Sequence, residues 1–239
     1  MCKKNDFIIN MTTFIIGPSH IHDECMGAYL NIFTNTTLDG NQGRPNWSNS
    51  VLKLVSDNYH NYDQIIWMVS DFRFGNIWID EIKSSKKLFL NKCGYPRNMS
   101  RSLINKKNDK ILCDKSIKCI DYIKLKYPKI KLLFWCLYAR SKIRTSNLPK
   151  EFHYDQIKKR YNKNILDIDK FTSPEEFKSC IKDSGGHPNK KGYELLKKMI
   201  NTEIFKNKIK RTFILFIVLI LYILCMLIYF FVVPTEIIK

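Results

Sequence analysis

Two short segments carry side chains that could act as a nucleophile and a general base. Gly17-Pro18-Ser19-His20 follows an apolar run near the start of the chain, and Asp183-Ser184-Gly185-Gly186-His187-Pro188-Asn189 lies far downstream. A serine hydroxyl is a poor nucleophile until a base takes its proton, and imidazole is the side chain that titrates in the right range to do so. Gly17 permits a tight strand exit, and Ser19 would present its hydroxyl at the mouth of a helix, where backbone N–H groups favour a developing anion. By itself, a Gly-Pro-Ser turn more often serves as a plain turn and helix cap. The downstream segment is a good place for a general base, because a glycine-rich loop can aim the imidazole while the helix behind it fixes the loop. Pro188 and Gly192 serve equally well as helix-entry residues.

Such residues need a scaffold that brings them to one place. Four apolar runs with β-branched or aromatic character, Thr13 to Ile16, Ile65 to Val69, Lys131 to Leu137 and Ile165 to Ile168, each suit a buried parallel strand. Helical segments are expected between them over Ser48 to Asn58 and Ser116 to Lys126. After the last strand, Tyr193, Leu196, Met199 and Ile200 share one helical face. Strand alternating with helix at this spacing implies an α/β sandwich around a mostly parallel sheet. In such a sheet ligands bind outside the carboxyl ends of the strands, where both segments would lie. Lys83 to Lys115, rich in Lys, Asn and Ser and containing Cys93-Gly94-Tyr95-Pro96, reads as an excursion beside that face.

In order along the chain, the segments resemble the blocks of the SGNH/GDSL hydrolase family over roughly residues 12 to 200. Gly17-Pro18-Ser19 stands where that family has Gly-Asp-Ser, with Pro in place of Asp. Asn41-Gln42-Gly43, followed by Trp47 to Val55 as a helix, resembles the second block. Ser70-Asp71-Phe72-Arg73-Phe74-Gly75-Asn76 occupies the place of the third, with Phe72 at the position of its Asn. His187-Pro188-Asn189 resembles the fourth, with Ser184 at the usual acid position and Asp183 one residue further upstream. The resemblance implies a three-layer sandwich with a flavodoxin-like, mostly parallel sheet. It also implies acyl transfer: Ser19 attacks an ester carbonyl, His187 takes its proton and Asp183 holds the imidazolium. The N–H groups of Ser19 and Gly43, with the Asn76 amide, would receive the oxyanion. Asp183 reaches this role if Gly185-Gly186 absorb the one-residue offset. Arg44, Arg73, Asp71 and His20 would border the pocket, the arginines as clamps for a carboxylate or phosphate.

His20-Ile21-His22 with Asp23 and Glu24 has metal-ligand character, but a metal-dependent hydrolase needs further ligands, and the chain holds only five His in all. No metal or cofactor is expected. Eight cysteines form no Cys-x-x-Cys pair, which argues against a zinc ribbon and, in a reducing compartment, against a disulfide framework. Forty Lys and Arg against 22 Asp and Glu give a net charge of +18. The lysines are scattered, without an aromatic-interleaved platform, so nucleic acid is not the expected partner, and a surface that tolerates anionic headgroups is.

From Thr212 to Val233 the chain carries no charge, enough to cross a bilayer as one helix. The expected organisation is a hydrolase-like domain over 1–206, a basic juxtamembrane segment at 207–211, a transmembrane helix over 212–233 and a short tail at 234–239. Lys206, Lys208, Lys210 and Arg211 precede the span, so a single-pass C-terminal anchor with the N-terminal domain in the cytosol is expected. Asn10-Met-Thr, Asn35-Thr-Thr, Asn46-Trp-Ser and Asn98-Met-Ser fit the glycosylation pattern, which matters only if the domain is lumenal. Two functions follow as expectations. One is a membrane-anchored esterase or acyl/acetyl hydrolase acting on an ester-bearing lipid, glycan or small molecule. The other is a catalytically silent module of the same fold that binds a glycan, lipid or protein.

Overall fold

Phe14, Ile15 and Ile16 favour a pleated backbone, and the strand they centre, β1 (Thr13–Pro18), is buried at all six positions. Strand β3 (Gln64–Met68) is buried at all five. Successive side chains on a strand point to opposite faces, so strands buried throughout must be covered on both sides. The computed structural model describes residues 12–21, 36–41, 44–73, 78–92, 105–143, 150–183 and 185–232. Within them β1 and β3 pair in parallel, with Thr13 opposite Gln64 and Ile16 opposite Trp67. Strands β2 (Thr36–Asn41), β4 (Lys131–Leu133) and β5 (Ile165–Leu166) complete a five-stranded sheet in the order β2-β1-β3-β4-β5, every pair parallel. This is a doubly wound α/β sandwich. The direction of winding reverses between β1 and β3, and such a reversal opens a crevice at the carboxyl ends of the strands.

Helix α1 (Asn49–Asn58) starts where Ser48 Oγ accepts from Ser50 N at 3.3 Å, and it buries Val51 and Val55. Helices α2 (Ile79–Ser84) and α3 (Lys106–Lys126) follow. On α3, Leu112, Cys113, Cys119, Ile120 and Ile123 form a buried stripe at helical spacing. The short α4 (Trp135–Tyr138) leads to α5 (Tyr154–Tyr161) and to α6 (Pro174–Lys178), which opens with a capping box between Ser173 and Glu176. Trp135 and Phe177 pack at 4.6 Å between ring centroids, and Tyr138 meets Phe177 at 4.8 Å. These aromatics join the segment after β4 to the elements that precede the last helix, α7 (Lys190–Val232).

Several local expectations are corrected. The apolar run from Lys131 to Leu137 is a strand only to Leu133, after which Trp135–Tyr138 turn helical. From Leu132 to Leu137 the run is buried, and an apolar run buried in either form has no period to tell strand from helix. Ile165 to Ile168 likewise pairs only at Ile165–Leu166, and Ile168 begins a 3-10 turn. The polar stretch from Lys83 to Lys115 is not one excursion: α2 runs to Ser84, and α3 begins at Lys106, burying Asn108, Asp109, Leu112 and Cys113. Its residues 93–104 lie outside those described. Strand β2 was not anticipated.

The chain divides into two units, one ending at Ile200 and the other containing Asn201 onward. In the first, Tyr193, Leu196, Met199 and Ile200 are buried along the start of α7. In the second, Thr212–Tyr229 are 18 uncharged residues with none buried, the one helix among the described residues long and apolar enough to cross a membrane. At about 1.5 Å per residue they span about 27 Å, close to a bilayer core of about 30 Å.

Candidate active site

The exit of β1 is narrow. A Cβ on Gly17 would fall 2.9 Å from Met68 Cβ and 3.0 Å from Ile21 Cδ1, so β1 can press against β3 at this point only with glycine there. The chain then turns through a 3-10 segment, Ser19–Ile21, which sets the Ser19 side chain at the β1/β3 reversal.

The second segment is built as a closed loop. Ile181 bridges Pro188, Lys182 N donates to His187 O at 2.8 Å, and Asn189 N donates to Cys180 O at 3.0 Å. The Asn189 carboxamide accepts from Gly192 N at 3.0 Å and donates to Ser179 O at 2.8 Å, which ties the loop to the first turn of α7. Gly192 is required there, because a Cβ would lie 2.2 Å from Cys180 O. Gly186 has φ +82°, a left-handed backbone that suits glycine, and its carbonyl accepts from Trp135 Nε1 at 2.8 Å. At Gly185 a Cβ would fall 2.7 Å from His187 Nδ1 and 2.9 Å from Asp183 Oδ1. Gly185 therefore leaves the space in which Asp183 and His187 meet, and Gly186 supplies the left-handed turn beside it.

His187 Nδ1 lies 2.9 Å from Asp183 Oδ2 and 3.0 Å from Oδ1, and Oδ1 also accepts from Gly185 N at 2.7 Å and from His187 N at 3.2 Å. A carboxylate can only accept, so Nδ1 carries the imidazole proton and Nε2 presents a lone pair. Nε2 lies 3.0 Å from Ser19 Oγ. The hydroxyl can donate to it, the arrangement from which a base removes a proton. Burial pushes the Asp183 carboxyl up, but the hydrogen bonds from the His187 ring and from the His187 and Gly185 N–H groups outweigh it and hold the carboxyl below its ordinary range. The side chains of His187 and Asp183 keep 23% and 41% of their surface open.

The other expected site residues divide differently. His20 is buried beside His187. Arg44 and Asp71, expected at the pocket wall, are buried in ion pairs instead: Arg44 with Asp39 at 2.6 Å, and Asp71 with Arg140. Asp71 Oδ1 also accepts from Arg73 N at 2.8 Å. The Arg73 guanidinium makes a two-pronged contact with Asp109 on α3, at 3.0 and 2.6 Å. Gly43, Asn76 and Ser184 lie outside the described residues, as do His22, Asp23 and Glu24 of the metal-like cluster. Among the described residues no three His, Cys, Asp or Glu side chains converge as metal ligands would.

Sequence reasoning passed over two contributors. Asn46, noted only as a glycosylation triplet, is buried. It donates to Ser70 O at 2.8 Å and to Ser116 Oγ at 2.7 Å, and accepts from Ser70 N at 2.8 Å. It clamps the segment before α1 to the end of β3, and in the folded domain its amide is closed to modification. Arg140 follows Ala139, whose Cβ lies 3.1 Å from where a Gly186 Cβ would be. Nothing local in the sequence singles it out.

No protein-family model matches the chain, and curated proteins offer no match either. Among solved structures the chain is similar to a GDSL-like lipase from Bacteroides thetaiotaomicron, at 13% identity and a TM-score of 0.49 over 82% of this chain and 89% of that one. It is similar also to a catalytic mutant of an acetylxylan esterase from Geobacillus stearothermophilus, at 12% identity and a TM-score of 0.41 over 82% and 94%. A lipase/acylhydrolase from Enterococcus faecalis aligns at 14% identity and a TM-score of 0.39 over 81% and 95%.

Proposed function

We propose that this chain is a membrane-tethered serine hydrolase of the SGNH type that cleaves an ester in an acyl- or acetyl-bearing lipid, glycan or small molecule. The observation that carries the reading is the continuous hydrogen-bonded row from Ser19 Oγ through His187 to Asp183, assembled from the two ends of the α/β domain at the reversal of its sheet. Ser19 Oγ attacks the carbonyl carbon as His187 Nε2 takes the hydroxyl proton, and Asp183 stabilises the resulting imidazolium. The negative charge on the carbonyl oxygen is received by the N–H groups of Ser19 and Gly43 and by the Asn76 amide. The tetrahedral adduct expels the alcohol, which leaves with the proton from Nε2. Water, losing its proton to the same nitrogen, then releases the acid and restores Ser19. Residues 1–206 are the catalytic domain, and the apolar helix over 212–233 is the anchor. The basic residues from Lys206 to Arg211 place the domain on the cytosolic side, within reach of substrates at the membrane surface.

The full-length chain in detergent micelles, exposed to a fluorophosphonate probe, tests this. Labelling is expected in the wild type and in Ser56→Ala, and none in Ser19→Ala. Absence of labelling in the wild type, together with no turnover of short acyl esters, would replace the hydrolase with the silent binding module.

A further inference from the structure

His20 stands next to Ser19 in the chain, yet its side chain turns inward. Only 1% of the residue is exposed, and its imidazole lies nearly flat against that of His187, with ring centroids 4.3 Å apart and planes 14° from parallel. The ring is itself held. Its Nε2 lies 3.2 Å from Gly185 O, which can only accept, so Nε2 carries the proton. Its carbonyl accepts from Tyr193 OH, on α7, at 3.3 Å. We propose that His20 is a positioning residue, whose imidazole backs one face of the His187 ring and keeps Nε2 of that ring aimed at Ser19 Oγ. The inference rests on the hydrolase reading above for its catalytic consequence.

The remaining contacts of His187 explain why a backing is needed. Asp183 fixes one edge of its ring and Ser19 meets the other, but a ring held only at its edges can still rock about the line joining them. A planar partner at stacking distance removes that freedom, and by bonding to Gly185 O it also ties down the loop that carries His187. A charge on this backing ring would oppose the imidazolium that forms on His187. Burial, the neighbouring His187 and Arg140 favour the neutral form, against the Gly185 bond and Asp183, and together they hold His20 down to about 3. Protonation would also leave a buried N–H at Nδ1, an atom with no partner among the described residues. His20 thus stays neutral through the working range and offers its π face to the cation formed beside it.

The test compares His20→Leu, which fills the space without a plane, with His20→Phe, which keeps the plane, each as the full-length chain in micelles with its thermal unfolding recorded. A misaimed base costs up to about 100-fold, so kcat for a short acyl ester is expected to fall about 10- to 100-fold in His20→Leu with KM within about twofold. Most of kcat should return in His20→Phe. A readout independent of turnover is the downfield proton resonance of His187 Nδ1–H, expected in the wild type and His20→Phe and lost to exchange in His20→Leu. Wild-type kcat together with an unchanged resonance in His20→Leu would overturn the proposal. If His20→Leu does not fold, His20→Gln, which can still donate to Gly185 O, replaces it, and wild-type behaviour of that variant would overturn the proposal equally. The hydrolase reading is judged separately by probe labelling of the wild type. If that fails, the resonance comparison alone decides what His20 does for His187.

Discussion

Two polar clusters are each built around an aspartate, and they differ in its partner and in what their members face. In the first, Asp183 and His187 pair through a loop of glycines and keep 41% and 23% of their side-chain surface open, with Ser19 at the end of the row. In the second, Asp71 is fully buried, accepts from Arg73 N and pairs with Arg140, while Arg73 grips the buried Asp109. The second cluster satisfies itself and joins β3 to α3 and to the segment after α4. The first leaves a lone pair and a hydroxyl facing each other beside solvent. An aspartate thus serves a structural brace in one cluster and the row proposed as catalytic in the other, and the partner and the exposure separate them.

The largest expected effect is on activity in the open cluster. Asp183→Asn removes the carboxylate that fixes the imidazole tautomer, and comparable changes in serine hydrolases lower kcat by about 10⁴-fold. Ester turnover should fall on that scale while the unfolding free energy read from urea stays within about 1 kcal/mol of wild type, as for a part-exposed ion pair. A loss of stability as large as that of a buried-pair variant would break the distinction between the clusters.

Acid should act next, through the buried His20 behind the open cluster and through Asp183 within it. An unfolded chain takes up a proton at His20 near its ordinary value of 6.5, whereas the folded protein resists until about 3. Below pH 6.5 the unfolded state then binds more protons, so stability falls as pH drops across this window. Asp183 adds in the same direction: its depressed titration contributes stability above the ordinary carboxylate range, and this is lost as pH falls through its lowered value. Urea unfolding at pH 7 and pH 4 should show a steeper acid loss in the wild type than in His20→Phe. Equal losses would remove His20 from the account.

In the closed cluster the expected effect is on stability. Asp71→Asn removes a fully buried charge that faces Arg140; removing one member of a buried pair costs about 3 to 5 kcal/mol, and the cost here is expected at or below the lower end because 27% of the Arg140 side chain is open. Urea unfolding at pH 7 reads this directly. A cost near zero would mean that solvent already compensates Arg140 and that the second cluster is as open as the first.

Much of the scaffold was legible. Phe14 to Ile16 and Ile65 to Val69 are short continuous apolar runs with β-branched and aromatic residues, the composition that suits a strand covered on both faces. Thr36–Asn41 was not legible as β2, because Thr-Thr-Leu-Asp-Gly-Asn has a single large apolar side chain and an edge strand draws its order from the neighbour it pairs with. Trp135 to Leu137 read as strand because burial in the core erased any periodicity. The site residues Ser19, Asp183 and His187 were visible as types in suggestive places. The offset of Asp183 could be judged only once Gly185 was seen to leave it room and Gly186 to take the left-handed turn. Arg44, Arg73 and Asp71 looked like a pocket wall, since a charged residue after a strand carries no local sign of the partner that neutralises it.

The amino-acid order alone determined that strands alternate with helices, that one helix is long and apolar enough to cross a bilayer, and which side chains could do chemistry. These properties are written in runs and periods of neighbouring residues, because burial of a face imposes a spacing on its own segment. Only the tertiary structure decided that Ser19 meets His187, that His20 backs that ring and that Asp71 belongs to Arg140. Such pairings join residues far apart in the chain, and they depend on the strand order and on close approaches at a few glycines, which no local pattern records.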